Sequence, residues 1–188
     1  MTASDPLDVA LSVTGVLDAL GIQHTIGGSI AASFAGEPRS TIDIDIVAAI
    51  DESHIDTLVQ ALSPAFYVDE HAVRRAVRTR SSVNLIHQAT QLKVDLFIAG
   101  GTPLDAQQLA RRLRVQVGSR TLHVHPPEDI LLQKLRWFRR GGEVSDRQWR
   151  DVLAIVRTQG PRLDREYLRA NAETLGVSDL LVKLLGEA

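Results

Sequence analysis

Six residues in the first quarter of the chain alternate between polar and isoleucine side chains, Thr41-Ile42-Asp43-Ile44-Asp45-Ile46. Alternation with a period of two predicts a β-strand, because successive side chains of a strand point to opposite faces of a sheet. Ile42, Ile44 and Ile46 would then share one face, and Asp43 and Asp45 would share the other with Thr41. Two carboxylates at this spacing lie roughly 6–7 Å apart and repel each other unless a cation lies near both. The segment therefore predicts either a solvated acidic face or a divalent-cation site.

A glycine-rich turn, Gly27-Gly28-Ser29, precedes this strand, and 13 residues separate Ser29 from Asp43. It follows a predicted strand and opens a short predicted helix. Glycines let backbone N–H groups approach an anion, and a helix N-terminus is electropositive. Mg2+ is commonly held by one or two carboxylates together with substrate phosphates. Alone, the turn is also consistent with a purely structural role; beside the acidic strand, it predicts a phosphate site next to a metal site.

A third carboxylate, Asp95, lies within the apolar segment Lys93-Val94-Asp95-Leu96-Phe97. A buried carboxylate without a partner is energetically costly. We therefore expect Asp95 either to pair with an arginine or to join Asp43 and Asp45 at the metal site. Three carboxylates from two strands can hold two metal ions, which would clamp the attacking and leaving oxygens of a phosphoryl transfer.

In this order and spacing, the glycine turn, the Asp43–Asp45 strand and Asp95 resemble the motifs of the nucleotidyltransferase superfamily. The resemblance implies a mixed sheet flanked by helices. It also implies attack by an acceptor hydroxyl on the α-phosphorus of a nucleoside triphosphate such as ATP, with loss of pyrophosphate. Mg2+, with Mn2+ as the alternative ion, would bridge Asp43, Asp45 and the phosphates. Asp95 would polarise the acceptor hydroxyl or hold a second ion.

More narrowly, the chain resembles the AbiEii-type branch, found as toxins in bacterial toxin–antitoxin pairs. This resemblance rests on Lys134, in a predicted apolar helix, and on Arg150-Asp151 in the next helix. It implies that Lys134 binds the triphosphate and that Asp151 acts near the reacting hydroxyl, with Asp146 as the alternative carboxylate. The residues alone also allow Lys134 to extend from an amphipathic helix into solvent, and Asp151 to pair with Arg147 one turn earlier.

Charge is divided unevenly along the chain. The first 70 residues contain eleven acidic residues and one basic residue, Arg39, whereas residues 71–188 contain twelve acidic and twenty basic residues. Arg39 would contact a phosphate or balance the carboxylates. The basic second part favours RNA, such as a tRNA 3′ end, as the acceptor, and the toxin branch implies an antitoxin protein as a partner. The alternatives are a small-molecule or protein acceptor, and a non-catalytic module of the same fold that binds a nucleotide or a partner.

Periodicity and capping residues place an α/β part before a helical part. Residues 1–125 are predicted to form the nucleotidyltransferase core, and residues 126–188 a helical part packed on it. This order favours an α+β fold over a doubly wound sheet. The predicted helices are 5–20, 30–35, 51–62, 70–78, 104–112, 126–140, 145–159, 164–175 and 178–185, and the predicted strands are 22–26, 41–47, 83–87, 92–98, 115–117 and 122–124.

The sequence contains no cysteine, which excludes disulfides, thiolate metal sites and cysteine nucleophiles. No apolar stretch approaches the roughly 18 residues of a membrane-spanning helix. The first eight residues lack the basic start of a signal peptide. The expected location is therefore the cytoplasm, without a membrane partner.

Three histidines are further candidates for function. His123 and His125 have the spacing that places both on one face of a strand, which would suit a metal pair if a third ligand were present. His24, just before the glycine turn, is expected to have a structural role.

Overall fold

The computed structural model describes residues 5–36 and 42–188, and its strands form one sheet in this part of the chain. The strands are β1 (His24–Ile26), β2 (Ile44–Ala48), β3 (Phe66–Tyr67), β4 (Ser82–His87), β5 (Lys93–Ile98), β6 (Leu113–Val117) and β7 (Arg120–Val124). Their order across the sheet is β3-β4-β5-β2-β1-β7-β6. β2 runs parallel to β5 and β1 parallel to β7, whereas the other neighbours are antiparallel.

Helices flank the sheet, so the predicted α+β class is confirmed. Several helices begin where a side chain caps the first turn: Asp5 accepts a hydrogen bond from the Leu7 N–H, and Ser145 accepts one from the Gln148 N–H. The helices are α1 (Pro6–Ala19), α2 (Gly28–Ala35), α3 (Ile55–Leu62), α4 (Glu70–Thr79), α5 (Pro103–Arg111), α6 (Pro127–Arg140), α7 (Asp146–Gln159), α8 (Arg165–Leu175) and α9 (Ser178–Glu187).

The described residues fall into two compact units. The first contains residues 5–30 and 42–124, and therefore the whole sheet. The second contains residues 31–36 and 125–188, and therefore α6 to α9 and most of α2. The division falls within α2, after Ile30.

The central strands owe their positions to alternating burial. Ile44, Ile46 and Ala48 on β2 are completely buried, whereas Asp45 between them is half-buried. Val94 and Leu96 on β5 are completely buried in the same way, and Asp95 lies between them. Burial of one set of alternate side chains fixes the register, because a shift of one residue would turn the apolar set away from the core.

The strand predicted over 41–47 is displaced. It begins at Ile44, where its pairing with Val94 begins, and it extends to Ala48. Ile42 lies before the strand and is 72% exposed, so the prediction that it shares the buried face of Ile44 and Ile46 is wrong. Thr41 lies outside the described residues.

Two other elements differ from those predicted. The helix predicted over 51–62 starts as a separate 3-10 turn, Glu52–His54, before α3. Asp51 caps this turn, as expected. The two-residue strand β3 was not predicted, because so short a segment carries no periodic pattern.

Within the second unit, buried acidic side chains connect α6 to α8. Asp129 is completely buried and accepts a hydrogen bond of 2.6 Å from the Tyr167 hydroxyl. Glu128 accepts one of 2.9 Å from the N–H of Asp164, the residue that caps α8. These bonds offset part of the cost of desolvating the carboxylates, and they connect α6 to α8 within the second unit.

Candidate active site

Three carboxylates lie on, or directly before, two neighbouring strands at the centre of the sheet. Asp43 directly precedes β2, Asp45 lies on β2, and Asp95 lies on β5. Asp45 and Asp95 are direct partners in the parallel register of these strands. Because buried residues flank each of them on its own strand, the two side chains share the face of the sheet opposite Ile44 and Leu96. The structure thus brings two of the predicted metal ligands side by side.

Asp95 has two polar partners on the same face. The Nδ2 of Asn84, its register partner on β4, donates a hydrogen bond to Oδ1 of Asp95. The ammonium of Lys93, two residues earlier on β5, lies 2.8 Å from Oδ2. Of the two alternatives for Asp95, the ion-pair partner in the described part of the chain is Lys93 where an arginine was predicted, and its place at a metal site stays a prediction.

The pKa of Lys93 is affected by all three carboxylates. Its pKa is raised, chiefly by the hydrogen bond to Asp95, and further by the negative charges of Asp95, Asp43 and Asp45. A single ammonium therefore lies within the field of the whole acidic group. The negative charges of all three carboxylates therefore act on the same ammonium group.

The donor set fits a hard divalent ion. It consists of carboxylate oxygens, which Mg2+ and Mn2+ prefer, with an amide side chain beside them and no imidazole among the three. Among the described residues, these aspartates do not form a set whose ligand atoms all lie within 4.8 Å of one another. The arrangement therefore suits ions shared with phosphate oxygens better than one ion enclosed by all three carboxylates.

The predicted phosphate turn contacts the acidic strand directly. The Gly27 N–H donates a 2.9 Å hydrogen bond to the backbone oxygen of Asp45. At Gly28, where α2 begins, φ is +55° and an added Cβ would lie 1.8 Å from Oδ2 of Asp45. Glycine is thus required here both by backbone conformation and by the space that the carboxylate occupies. Ser29 follows in the first turn of α2 and is 9% exposed.

Lys134 and Asp151 lie in the second unit and pair with each other. The ammonium of Lys134 on α6 lies 2.8 Å from Oδ2 of Asp151 on α7, and the two side chains are 12% and 15% exposed. None of the roles that the sequence indicated for Lys134 or Asp151 was an ion pair between these two residues. Asp146, the alternative carboxylate, is the exposed first residue of α7. Arg39, the remaining predicted phosphate ligand, lies outside the described residues.

Among the described residues, the histidines proposed as a metal pair, His123 and His125, do not share a group of three or more side chains that could hold one metal ion. His123 on β7 contacts His24 on β1, with ring centroids 5.6 Å apart and planes at 78°. His125 follows β7, belongs to the second unit and is 3% exposed. Burial lowers the pKa of His125 to about 4, so this imidazole is neutral at physiological pH.

No family model matches the chain. Solved structures do resemble it. An antigenic nucleotidyltransferase-like protein from Paracoccidioides brasiliensis superposes with a TM-score of 0.57, over 96% of this chain and 91% of that one, at 19% identity. The antibiotic-resistance factor ANT(2″)-Ia, in complex with adenylyl-2″-tobramycin, gives 0.56 over 89% and 96%, at 12% identity. The chain has a nucleotidyltransferase-like fold.

A third structure with this nucleotidyltransferase-like fold is the lincosamide antibiotic adenylyltransferase LnuA, bound to lincomycin. Its TM-score is 0.50, over 76% of this chain and 91% of that one, at 13% identity. These similarities establish the fold that the motifs implied, whereas the closer resemblance to the AbiEii-type branch stays a prediction.

One curated sequence that is similar to part of the chain belongs to a different class of protein from these structures. A plasma-membrane calcium-transporting ATPase of Arabidopsis thaliana is 24% identical over 147 residues, which are 77% of this chain. The chain spans about 14% of the length of that protein. Among the described helices of this chain, none combines the length and the apolar character needed to cross a bilayer.

Sequence reasoning missed two residues of the site. Asn84 and Lys93 both contact Asp95. The sequence does contain one indication of their role. Each is a polar side chain on a predicted strand or at its start, and it alternates with buried valines and leucines. Only the pairing of β4 with β5 shows that Asn84 lies opposite Asp95.

Proposed function

We propose that this protein is a metal-dependent nucleotidyltransferase, which transfers a nucleoside monophosphate from a nucleoside triphosphate to an acceptor hydroxyl. The observation that carries the proposal is the contact between three sequence-distant groups. Asp45 lies opposite Asp95 across β2 and β5, and the glycine turn at Gly28 packs on the carboxylate of Asp45. A phosphate-binding turn and a carboxylate site in contact form the arrangement that phosphoryl transfer needs.

Asp43, Asp45 and Asp95 would hold the Mg2+ or Mn2+ ions. When bound, such ions neutralise phosphate charge and polarise the attacking and leaving oxygens. The chain itself positions the substrate: the backbone N–H groups at the start of α2 and the Ser29 hydroxyl would donate to phosphate oxygens. Lys93 balances the carboxylates, and its flexible side chain can withdraw from Asp95, since it is 49% exposed.

For the acceptor, we propose RNA. The second part of the chain carries most of the basic residues, and α4 presents exposed Arg75 and Arg78. They line a groove of about 460 Å³ together with Arg74, which is held by Asp56 and Glu70. Arginine side chains along a groove suit a phosphate backbone, and binding of this kind weakens with salt.

A toxin role with an antitoxin partner is the corresponding cellular hypothesis. It is tested by whether induced expression of the protein arrests growth.

The transfer itself is tested with each α-³²P-labelled nucleoside triphosphate, Mg2+, and separate pools of total RNA, small hydroxyl compounds and protein. We expect label in the RNA pool, release of pyrophosphate, and loss of both when EDTA removes the metal. Label in a small-molecule or protein pool alone would overturn the RNA acceptor and keep the enzyme class. No transfer to any pool, with no stabilisation by nucleotide and Mg2+, would overturn the enzyme.

The contact at Gly28 gives a first quantitative prediction. Replacing Gly28 with alanine places a Cβ where Oδ2 of Asp45 now lies, so the carboxylate must move away from the turn. Since displacing a reacting group by about 1 Å can reduce a rate by up to 100-fold, we expect turnover to fall about tenfold or more. Steady-state nucleotidyl transfer measures the effect.

Gly21→Ala is the matched control for this prediction. Gly21 also has a positive φ, +68°, but open space surrounds the position of its Cβ. Both variants therefore carry the backbone strain, and only Gly28→Ala disturbs Asp45. Equal losses of activity in the two variants would show that strain, and not the contact with Asp45, limits turnover.

A further inference from the structure

A second cluster of metal-ligating side chains lies in the first unit, apart from the three aspartates. It consists of Asp18 near the end of α1, His24 at the start of β1 and His123 on β7. One ligand atom from each of these residues lies within 4.8 Å of the others. Adjacent pairing of β1 with β7 brings the two imidazoles together across the sheet.

The hydrogen bond of His24 occupies one ring nitrogen, Nδ1, and leaves the other, Nε2, available to a metal. Its Nδ1 lies 3.0 Å from the backbone oxygen of Ile22 and 3.8 Å from Oδ1 of Asp18. Both neighbours are acceptors, so we assign the proton to Nδ1 and a lone pair to Nε2. Orientation of one ring N–H by a backbone carbonyl is typical of metal-binding histidines.

Both imidazoles carry a buried nitrogen without a hydrogen-bond partner in the described part of the chain. These atoms are Nε2 of His24, whose side chain is only 2% exposed, and Nδ1 of His123. An unsatisfied buried polar nitrogen costs free energy, and a bound cation would remove that cost. Burial, Arg112 and His24 lower the pKa of His123, which favours the neutral imidazole that binds metals.

We propose that His24, His123 and Asp18 form a site for a divalent transition metal of the zinc type. The two imidazoles supply nitrogen donors of the kind that Zn2+ prefers to Mg2+, and the carboxylate of Asp18 supplies a negative charge. Two histidines and a carboxylate suit Zn2+ with a position left for water, whereas Mg2+ prefers oxygen ligands. Asp18 is 54% exposed, which gives the ion a path from solvent.

Such an ion would connect α1, β1 and β7 within the first unit. β1 leads directly from His24 into the Gly27-Gly28 turn. The site would therefore fix the strand from which the phosphate-binding turn begins, and its effect would be measurable as increased thermal stability of the folded chain.

The test is a calorimetric titration of the metal-stripped full chain with Zn2+, in excess Mg2+ to occupy the aspartates. We expect about one Zn2+ per chain, and a tetrahedral-type visible spectrum when Co2+ replaces Zn2+. His123→Asn should weaken binding about 100-fold, whereas His71→Asn, which changes an exposed histidine on α4, should leave it unchanged.

Two results would overturn the proposal: no Zn2+ binding by the unmodified chain, or unchanged affinity in His123→Asn. His24 is deeply buried, and replacing it could prevent folding. The half-buried His123 therefore decides the outcome, with circular dichroism to show that its variant is folded. Asp18→Asn is a second readout, expected to weaken Zn2+ binding without changing the circular dichroism spectrum.

Discussion

Asp45→Asn is expected to reduce nucleotidyl transfer by roughly 1,000-fold while the chain stays folded. The amide keeps the shape of the carboxylate and removes the negative charge that would hold a metal ion. Asp45 lies directly opposite Asp95, so the substitution also removes a repulsion between like charges. Activity should therefore fall without a matching fall in stability, as measured by initial rates and by thermal unfolding of the same preparation.

Asp8→Asn is the matched control for this result. Asp8 is an exposed aspartate in the first turn of α1, within the same unit. Its replacement removes the same charge from the chain and should leave turnover unchanged. If Asp45→Asn kept most of the activity, or lost activity only to the extent that it unfolded, the carboxylate site would not be the catalytic centre.

Lys134→Met is expected to destabilise the second unit by about 2–3 kcal/mol. Removing one partner of a buried ion pair leaves the other carrying its desolvation penalty, and fully buried pairs cost about 3–5 kcal/mol. We place this pair lower because 12% of Lys134 and 15% of Asp151 remain exposed. Urea unfolding followed by tryptophan fluorescence measures the loss, since Trp137 and Trp149 lie on the same two helices, α6 and α7.

The double variant Lys134→Met, Asp151→Leu separates the structural role of this pair from its predicted catalytic role. Replacing both charges with apolar side chains should restore most of the lost stability. If Lys134 binds the triphosphate, the restored protein will still have a raised KM for the nucleotide. A double variant with normal stability and normal kinetics would assign the pair to structure alone.

Most elements of the first unit follow from the sequence, because they depend on local patterns. β5 and the hairpin of β6 and β7 appear where alternation and turn residues predict them. β2 starts later than predicted because its pairing with β5 begins only at the pair Ile44–Val94. Strand pairing depends on a second strand, and no pattern within 41–47 contains that information.

The site was predictable in its residues and not in its contacts. Asp45, Asp95 and the glycine turn are recognisable as motifs, but the packing of Gly28 on the Asp45 carboxylate depends on the turn folding back beside β2. The pair Lys134–Asp151 depends equally on how α6 lies against α7. Contacts between residues far apart in sequence require the tertiary arrangement, which a single sequence does not state.

The parallel pairing of β2 with β5 has a consequence for synthesis of the chain. β1 and β2 are consecutive strands and can pair as soon as both have emerged, whereas Asp95 lies 50 residues after Asp45. At about 5–20 residues per second, the ribosome delivers Asp95 roughly 3–10 s later. Until β5 is complete, β2 is an edge strand of the sheet. A chain released at that stage therefore carries Asp43 and Asp45 at an open edge, without Asp95 beside them.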